Sequence, residues 1–249
     1  MAIIQSVLFW GFVGISSIAL FPVAALIRIV TWPFDRRLKV LHRFTSFWSS
    51  LYTWFNPFWN VKVEGREKID HKASYVIVSN HQSSVDIFAM FRIFAHFKWV
   101  SKKENFKIPV IGWNMRLNKY IEIDRGSVRG SDRMMRDCET ALKQGSSVMI
   151  FPEGTRSETG EMRPFKRGAF ELAMRTGSSI LPIAITGSAR ALPKKGVMLK
   201  GRHNIHIQIL DPVPTNAAST AQELSDSVRS ALSAELARRS HAKMPASVV

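Results

Sequence analysis

The chain begins with a long uncharged apolar run. No charged residue precedes Arg28, and residues 2–27 are dominated by aliphatic and aromatic side chains. As a helix this run would be about 39 Å long, which exceeds the ~30 Å hydrocarbon core of a bilayer. A secretory signal peptide would have a basic start, a shorter apolar core and a small-residue cleavage site. The run therefore predicts a membrane helix, and it fits both a helix that spans the bilayer and one that lies in a single leaflet.

The charge of the chain points to the same partner. With 35 Lys+Arg against 19 Asp+Glu the formal net charge is +16, which favours either a nucleic acid or a membrane surface. An uncharged aromatic N-terminus and the lack of a nucleic-acid-binding motif favour membrane lipids and argue against a nucleic-acid partner. The cations that follow the apolar run indicate a cytoplasmic, headgroup-facing segment, and so the cytoplasmic face of the inner or cell membrane: Arg28, Arg36, Arg37, Lys39 and Arg43.

The next segment, residues 44–60, carries no charge but eight aromatic side chains. Seven of its large apolar residues recur at spacings of three and four, which predicts one face of a helix: Phe44, Phe47, Trp48, Leu51, Trp54, Phe55 and Phe58. Aromatic rings of this kind favour the membrane–water interface. The alternative is that this face packs on the first helix or on the domain that follows. Residues 1–60 are therefore predicted to form membrane-attachment helices.

From Val61 onwards short β-rich runs alternate with helical stretches, which predicts an α/β domain over residues 61–249. We expect a mixed, largely parallel sheet flanked by helices. The predicted strands are Val61–Glu64, Tyr75–Ser79, Lys98–Ser101, Tyr120–Asp124, Ser147–Phe151, Ile180–Thr186 and Asn204–Leu210. The predicted helices lie near Val85–Ala95, Arg129–Gln144, Gly168–Thr176 and Ala221–Arg238.

The first candidate site follows the strand that ends at Ser79. It has the sequence Asn80-His81-Gln82-Ser83-Ser84-Val85-Asp86. The carboxyl end of a strand in an α/β sheet is a favoured place for a ligand crevice. A serine at 83 or 84 could cap the next helix, which would put Asp86 in its first turn. If the turn folds His81 back, the carboxylate would fix the imidazole tautomer, and the other ring nitrogen could then take a proton from an alcohol.

The second candidate site follows another apolar strand and has the sequence Phe151-Pro152-Glu153-Gly154-Thr155-Arg156-Ser157. Proline and glycine predict a turn, and Arg156 would be presented at a second strand end. Arginine forms bidentate hydrogen bonds to phosphate. The role of Glu153 has two interpretations, since it could orient Arg156 or hold the turn.

These two segments occur with two others in an order that resembles the glycerophospholipid acyltransferases typified by lysophosphatidate acyltransferase. The second block runs from Lys102-Lys103-Glu104 through Pro109 and Gly112 to Ile123-Asp124-Arg125, and the fourth is Ile180–Ile185. Together the four blocks cover about residues 75–190. One departure stands out: Lys119 and Glu122 occupy positions where a glycine and an aromatic residue are more usual, so the pocket shape is expected to differ there.

The resemblance implies a role for each matching residue. His81 would be the general base and Asp86 the residue that orients it. The acceptor phosphate would be bound by Lys103, Arg125 and Arg156, with Lys102 as the alternative to Lys103. Supporting positions of the motifs are Asn80, Glu153, Gly154 and Thr155. The fourth block would form an apolar wall near the acyl chain, or else a core strand.

The resemblance also implies the reaction. A fatty acyl group would pass from acyl-CoA or acyl-carrier protein to the free hydroxyl of 1-acyl-sn-glycerol-3-phosphate, making phosphatidic acid for phospholipid biosynthesis. Glycerol-3-phosphate or another lysolipid is the alternative acceptor. We expect no cofactor and no metal, because the histidines form no convincing ligand set. The chain lacks a G-x-S-x-G nucleophile elbow and a P-loop, and its one cysteine, Cys138, excludes an intrachain disulfide.

Overall fold

The computed structural model describes residues 2–157, 161–192 and 196–241; residues 242–249 of the predicted domain lie outside these ranges. The helices are α1 (Ala2–Val30), α2 (Lys39–Trp54), α3 (Val85–Met90), α4 (Ile111–Leu117), α5 (Val128–Lys143), α6 (Gly168–Thr176) and α7 (Ala221–His241). The strands are β1 (Trp59–Glu64), β2 (Val76–Ser79), β3 (Phe97–Lys102), β4 (Ile121–Ile123), β5 (Ser147–Ile150), β6 (Ile180–Thr186) and β7 (His203–Ile209).

The seven strands form one sheet in the order β1-β7-β6-β2-β5-β3-β4. Strands β6, β2, β5, β3 and β4 are parallel to one another. Strand β7 runs antiparallel to β6, and β1 runs parallel to β7. The predicted mixed, largely parallel sheet is therefore confirmed. Because five parallel strands end at one edge, the loops that carry the sequence motifs all emerge on the same side of the molecule.

Alternating side chains of the central strands contribute to two hydrophobic cores, one on each face of the sheet. On one face Ile77 and Leu181 pack with residues from α1, α2 and α3. On the other face Val76, Val78 and Val148 pack with residues from α5, α6 and α7. The result is a three-layer arrangement, helix–sheet–helix.

The N-terminal helices share the first of these cores. Phe9 of α1 lies against Tyr52, Trp59 and Phe88, with ring centroids 5.0–6.4 Å apart. Trp10 Nε1 of the same helix donates to the Val197 carbonyl at 2.7 Å. Strand β1 begins at Trp59, so the predicted boundary at residue 60 falls within a strand of the sheet.

The predicted aromatic face of α2 extends as far as Trp54, where the helix ends, so Phe55 and Phe58 lie beyond it. Trp48 and Tyr52 are buried, whereas Phe47, Trp54 and Phe55 are exposed. The buried face is instead rich in small hydroxylated residues: Thr45, Ser46, Ser49, Ser50 and Thr53. Small side chains let the helix pack closely on the domain, which turns the rings to its flanks. Both interpretations of this segment thus hold in part, because some rings pack on the domain and others form an exposed apolar surface.

Two other local predictions need correction. The helix predicted over 85–95 ends at Met90, a 3₁₀ turn follows over Phe91–Ile93, and Phe94 reverses the chain with φ 55°. Helix α4 was not predicted. It begins after Val110, and a Cβ on its Gly112 would approach the Phe106 carbonyl oxygen to 2.2 Å, so glycine is required there.

A buried lysine joins the helical hairpin to the sheet. Lys98 of β3 is only 6% exposed. Its Nζ donates to the Arg37 carbonyl at 3.1 Å, in the α1–α2 turn, and to the Asn118 carbonyl at 2.7 Å, before β4. Burial lowers the pKa of Lys98 to about 7.

This pKa predicts how stability depends on pH. In the unfolded chain a lysine has a pKa of about 10.4, so between about pH 7 and pH 10 the unfolded state binds more protons than the folded state. The contribution of Lys98 to the free energy of unfolding should therefore rise with pH in this window and stay at its low value below it. We expect Lys98→Met to reduce the increase in the free energy of unfolding between about pH 7 and pH 10. The measurement is unfolding in detergent at several pH values in this range. Lys107→Met, at an exposed position, should keep the wild-type slope; equal slopes in Lys98→Met and wild type would contradict the assignment.

Candidate active site

His81 and Asp86 form a hydrogen-bonded pair at the carboxyl end of β2. His81 Nδ1 lies 3.0 Å from Asp86 Oδ2, and the Asp86 side chain is fully buried. The same oxygen accepts the backbone N–H groups of Gln82 at 2.7 Å and Ser83 at 2.8 Å. The three donors fix the carboxylate, and the carboxylate in turn keeps the proton on Nδ1. Asp86 lies in the first turn of α3, as predicted.

The turn that follows β5 holds the backbone of His81 from both sides. Glu153 Oε1 accepts the His81 N–H at 2.7 Å, and the His81 carbonyl accepts the Ser157 N–H at 2.9 Å. Glu153 Oε2 accepts the Arg163 N–H at 2.9 Å. Of the two interpretations of Glu153, the structure therefore shows the one in which it holds the turn. Burial raises the pKa of Glu153, while its two backbone hydrogen bonds lower it.

Gly154 allows this turn to close. Its φ is +71°, a conformation that favours glycine, and an added Cβ would lie 2.8 Å from Lys166 Cε. Thr155, the next residue, is partly exposed between Gly154 and Arg156. The predicted turn is confirmed, and the positive φ of Gly154 explains why a glycine stands in it.

The imidazole of His81 packs on the second motif. Its ring stacks on Phe151 with centroids 3.9 Å apart and planes 10° apart. The side chain is 13% exposed, and none of the described residues hydrogen-bonds to Nε2. Stacking and the Asp86 contact fix the ring, and Nε2 is the nitrogen left to meet a substrate.

Asn80 anchors the residue before the histidine to β6. Its Nδ2 donates to the Ile185 carbonyl, and its Oδ1 accepts the Ile185 N–H, both at 2.8 Å. The side chain thereby replaces a strand backbone and continues the β2–β6 pairing by one step. Asn80 supports the site by fixing where β2 ends and where the His81 turn begins.

Arg156 reaches across to the start of α3. Its Nη1 donates to Ser84 Oγ at 2.9 Å, which places the guanidinium on the turn that carries His81. Ser84 makes no side-chain cap on α3, so of the two serines predicted as possible caps only Ser83 contacts the start of the helix. Ser83 Oγ accepts the Val85 N–H at 3.3 Å and donates to the Leu192 carbonyl at 2.9 Å.

The cations of the second block lie at the ends of β3 and β4, the two strands that continue the sheet beyond β5. The ammonium of Lys103 pairs with the Asp124 carboxylate, which raises the pKa of Lys103 and lowers that of Asp124. Lys102 ends β3 and is exposed, and Arg125 follows Asp124 in the turn after β4. With neighbouring strands about 4.8 Å apart, the ends of β3 and β4 lie about 10 and 14 Å from that of β2. The pairing of Lys103 leaves Lys102 the more accessible of the two lysines.

The departures from the usual family pattern have visible consequences. Lys119 has φ 52°, in the left-handed region that favours glycine. Glu122 lies 3.7 Å from the guanidinium of Arg116, in an exposed ion pair. The fourth block is β6, whose residues Ile180–Ile185 are all buried between β2 and β7. The core-strand interpretation of that block is therefore confirmed.

Several site contacts were not predicted: the Phe151 ring on His81, the Arg163 N–H on Glu153, and Ser84 as the partner of Arg156. Only Ser84 carried a local signal, and that signal pointed to a helix cap. Across the described ranges, no group of three His, Cys, Asp or Glu side chains is arranged to hold a metal ion.

Comparison with known proteins agrees with this arrangement. The Acyltransferase family model matches residues 60–186. A 1-acyl-sn-glycerol-3-phosphate acyltransferase of Chlamydomonas reinhardtii is 32% identical over 240 residues, covering 95% of this chain and 70% of the relative. One from Pseudomonas aeruginosa is 38% identical over 136 residues, covering 54% of this chain and 52% of the relative. The chain spans about half the length of several other relatives, including that of Saccharomyces cerevisiae at 52%.

A solved structure shares the fold. The 1-acyl-sn-glycerophosphate acyltransferase of Thermotoga maritima superposes with a TM-score of 0.81 over 96% of both chains, at 23% sequence identity. A sheet with a His–carboxylate pair at its parallel strand ends, together with the family match, defines an α/β acyltransferase. The chain belongs to the acyltransferase family typified by 1-acyl-sn-glycerol-3-phosphate acyltransferase.

Proposed function

We propose that the protein transfers a fatty acyl group from a thioester donor, acyl-CoA or acyl-carrier protein, to the free hydroxyl of 1-acyl-sn-glycerol-3-phosphate, forming phosphatidic acid. The observation that carries the proposal is the 3.0 Å contact between His81 Nδ1 and the buried Asp86 carboxylate, with Nε2 facing away from it. The relatives named as lysophosphatidate acyltransferases support the acceptor. Glycerol-3-phosphate and other lysolipids are the competing acceptors for the same chemistry.

The geometry suggests a direct transfer. His81 Nε2 takes the proton of the acceptor hydroxyl while that oxygen attacks the thioester carbonyl. Asp86 keeps Nδ1 protonated and stabilises the imidazolium that forms. When the C–S bond breaks, the imidazolium returns its proton to the departing sulfur, so the products are an ester and a free thiol. Every proton is accounted for by His81, and the proposed reaction uses no metal or cofactor.

Phosphate recognition is proposed for Arg156, with Lys103 and Arg125 as further contacts and Lys102 as the alternative to Lys103. Arg156 already lies on the turn of His81 through Ser84 Oγ. An acceptor phosphate held by this guanidinium would place the free glycerol hydroxyl close to Nε2. Positioning of this kind is a major part of transfer catalysis.

Replacing Arg156 by lysine tests this role. Lysine keeps the charge but loses the planar pair of donors, so we expect a loss of about ten- to a hundredfold in kcat/KM, the size of a charge-assisted hydrogen bond. The acceptor KM should rise and the donor KM should barely change. The measurement is steady-state kinetics with a lysophosphatidate and with the monoacylglycerol that lacks its phosphate.

The two acceptors provide the control. The wild-type enzyme should strongly prefer the phosphorylated acceptor, and Arg156→Lys should lose most of that preference. Ser84→Ala removes the described partner of Arg156 while leaving its charge, and should give a smaller shift in the same direction. An unchanged preference in Arg156→Lys with only a lower melting temperature would make Arg156 a structural residue.

We propose that α1 and the exposed rings of α2 attach the enzyme to the cytoplasmic face of a membrane. Among the described residues, α1 is the one helix long and apolar enough to cross a bilayer. Its outward face is apolar, with Leu8, Ile15 and Ile18 each more than two-thirds exposed. At its end the Arg28 guanidinium lies 4.5 Å from the exposed ring of Trp32. An aromatic ring beside a cation at the end of an apolar helix is typical of an interfacial anchor.

Polar substitutions on the exposed face of α1 test whether this face attaches the enzyme to the membrane without taking part in acyl transfer. We expect Leu8→Gln/Ile15→Gln/Ile18→Gln to reduce sedimentation with vesicles and activity on bilayer substrate. Activity on short-chain substrates in detergent should survive, because the core contacts of Phe9 and Val13 are untouched. Val128→Gln, an exposed apolar residue of α5, is the matched control. Vesicle sedimentation of the triple variant equal to that of the control would contradict the attachment.

A further inference from the structure

A cavity lies at the end of the parallel strands opposite to that of His81. It has a volume of about 680 Å³ and is lined by Tyr75, just before β2, and by Ser147, where β5 begins. The chain from Tyr75 to His81 is nearly extended, at about 3.3 Å per residue, so the two sites lie roughly 20 Å apart. We call this space the basic cavity, after Lys39, Arg43 and Arg66 in its wall.

The charge of the basic cavity is positive. Lys39, Arg43 and Arg66 face one carboxylate, Asp70, and that carboxylate already accepts the Lys72 N–H at 2.8 Å. Arg66 is anchored by the Arg92 carbonyl at 2.7 Å. The side chains of Lys39 and Arg43 form no hydrogen bond or ion pair with any residue that the structure describes. Two cations are thus available to a ligand.

Two histidines in the wall, His42 and His96, add no charge. Both nitrogens of His42 are in use, with Tyr120 Oη at 2.9 Å and the Ala95 carbonyl at 3.1 Å. Burial lowers the pKa of His42 and brings the pKa of His96 to about 3. The positive charge therefore stays with the lysine and the arginines at the mouth.

The floor and rim of the basic cavity are apolar. Its floor includes Ile77, Ile93 and Leu181, and its rim includes Phe47 and Phe94. The Phe94 ring stacks on Trp54, with centroids 6.2 Å apart. The two rim rings and Trp54 are each more than a third exposed, and they continue the exposed apolar surface of the α1–α2 hairpin. The mouth therefore opens beside the surface proposed to meet the membrane.

We propose that the basic cavity is a second lipid site, which binds the phosphate monoester headgroup of an anionic glycerolipid away from the active site. A small-molecule site has a volume of about 300–1,000 Å³, so a bare phosphate would leave most of this one unfilled. Unpaired cations match a doubly charged phosphate. The apolar floor and the aromatic rim match the glycerol backbone and the first part of an acyl chain.

The test is vesicle binding by the full chain without an acyl donor, so that its outcome does not depend on catalysis. The vesicles are phosphatidylcholine mixed with phosphatidic acid, or with phosphatidylglycerol at matched surface charge. The variant is Arg43→Gln. Its control is Arg36→Gln, which removes an equal charge from the same basic segment outside the cavity wall.

We expect Arg43→Gln to weaken binding to phosphatidic acid vesicles by about tenfold. Arg36→Gln should weaken it no more than about fivefold, as expected for general attraction to an anionic surface. On phosphatidylglycerol both variants should lose affinity equally. Equal losses on phosphatidic acid vesicles would overturn the proposal. It would also be overturned if Arg43→Gln abolished binding of inorganic phosphate, measured by calorimetry, but left vesicle binding unchanged, because the occupant would then be free phosphate.

Discussion

Replacing His81 by alanine is expected to reduce the rate of acyl transfer by at least about 10²–10⁴-fold, the usual contribution of a general base. The substitution removes Nε2, the ring nitrogen that faces away from Asp86. The loss should fall on kcat, because neither Arg156 nor the proposed acceptor contacts are altered. The measurement is steady-state turnover in detergent with saturating donor and acceptor.

The fold should survive this substitution. The backbone of His81 is held by Glu153 and Ser157 through main-chain hydrogen bonds, which alanine preserves. The lost stacking on Phe151 should lower the melting temperature modestly. The control is His203→Ala. His203 begins β7, which runs antiparallel to β6 and takes no part in the proposed site, so this variant should keep wild-type turnover. Turnover of His81→Ala within a few-fold of that control would exclude His81 as the base.

Substituting Asp86 by asparagine is expected to lower kcat by at least about a hundredfold, equivalent to about 2.7 kcal/mol of activation free energy. The backbone N–H groups of Gln82 and Ser83 point at Oδ2, so an asparagine oxygen should occupy that position. The Nδ1 tautomer would then be kept, and the variant isolates the loss of negative charge beside the imidazolium.

Asp86→Ala provides the comparison. It removes the charge and also leaves two backbone N–H groups of the turn without their acceptor, each costing about 1–3 kcal/mol when buried. We therefore expect a similar or larger loss of activity together with a clear loss of stability, whereas Asp86→Asn should unfold near the wild-type temperature. Near-normal turnover of a folded Asp86→Asn would mean that the carboxylate does not assist His81.

The sheet was predictable because its central strands are short continuous apolar runs. Every predicted strand is present with its ends shifted by at most two residues, and one of them, Ile180–Thr186, coincides fully. Strand order was outside the reach of the sequence pattern, since it depends on which faces pack together. Helix α4 was missed because it is seven residues long and begins after a strained Val110 at φ 61°.

The two motifs of the site could be predicted from the sequence, but most of their arrangement in space could not. Local spacing was enough to propose the contact of His81 with Asp86, which the structure shows at 3.0 Å. The hydrogen bonds that hold the motifs together join residues 72 to 105 positions apart, as with Glu153 to His81 and Asn80 to Ile185. Periodicity carries no information on such contacts. Periodicity also could not decide which side of α2 faces the domain, because the buried side is built mainly from small hydroxylated residues and only some of the rings.

The most direct test of the account is one assay on purified protein. Wild type, His81→Ala and Asp86→Asn are each mixed with acyl-CoA or acyl-carrier protein and with lysophosphatidate, glycerol-3-phosphate or monoacylglycerol, and thiol release and ester product are measured together. We expect equal amounts of thiol and phosphatidic acid from wild type with lysophosphatidate, and little of either from the two variants. Thiol release that is equal in wild type and His81→Ala, or that yields no acylated glycerolipid, would contradict it.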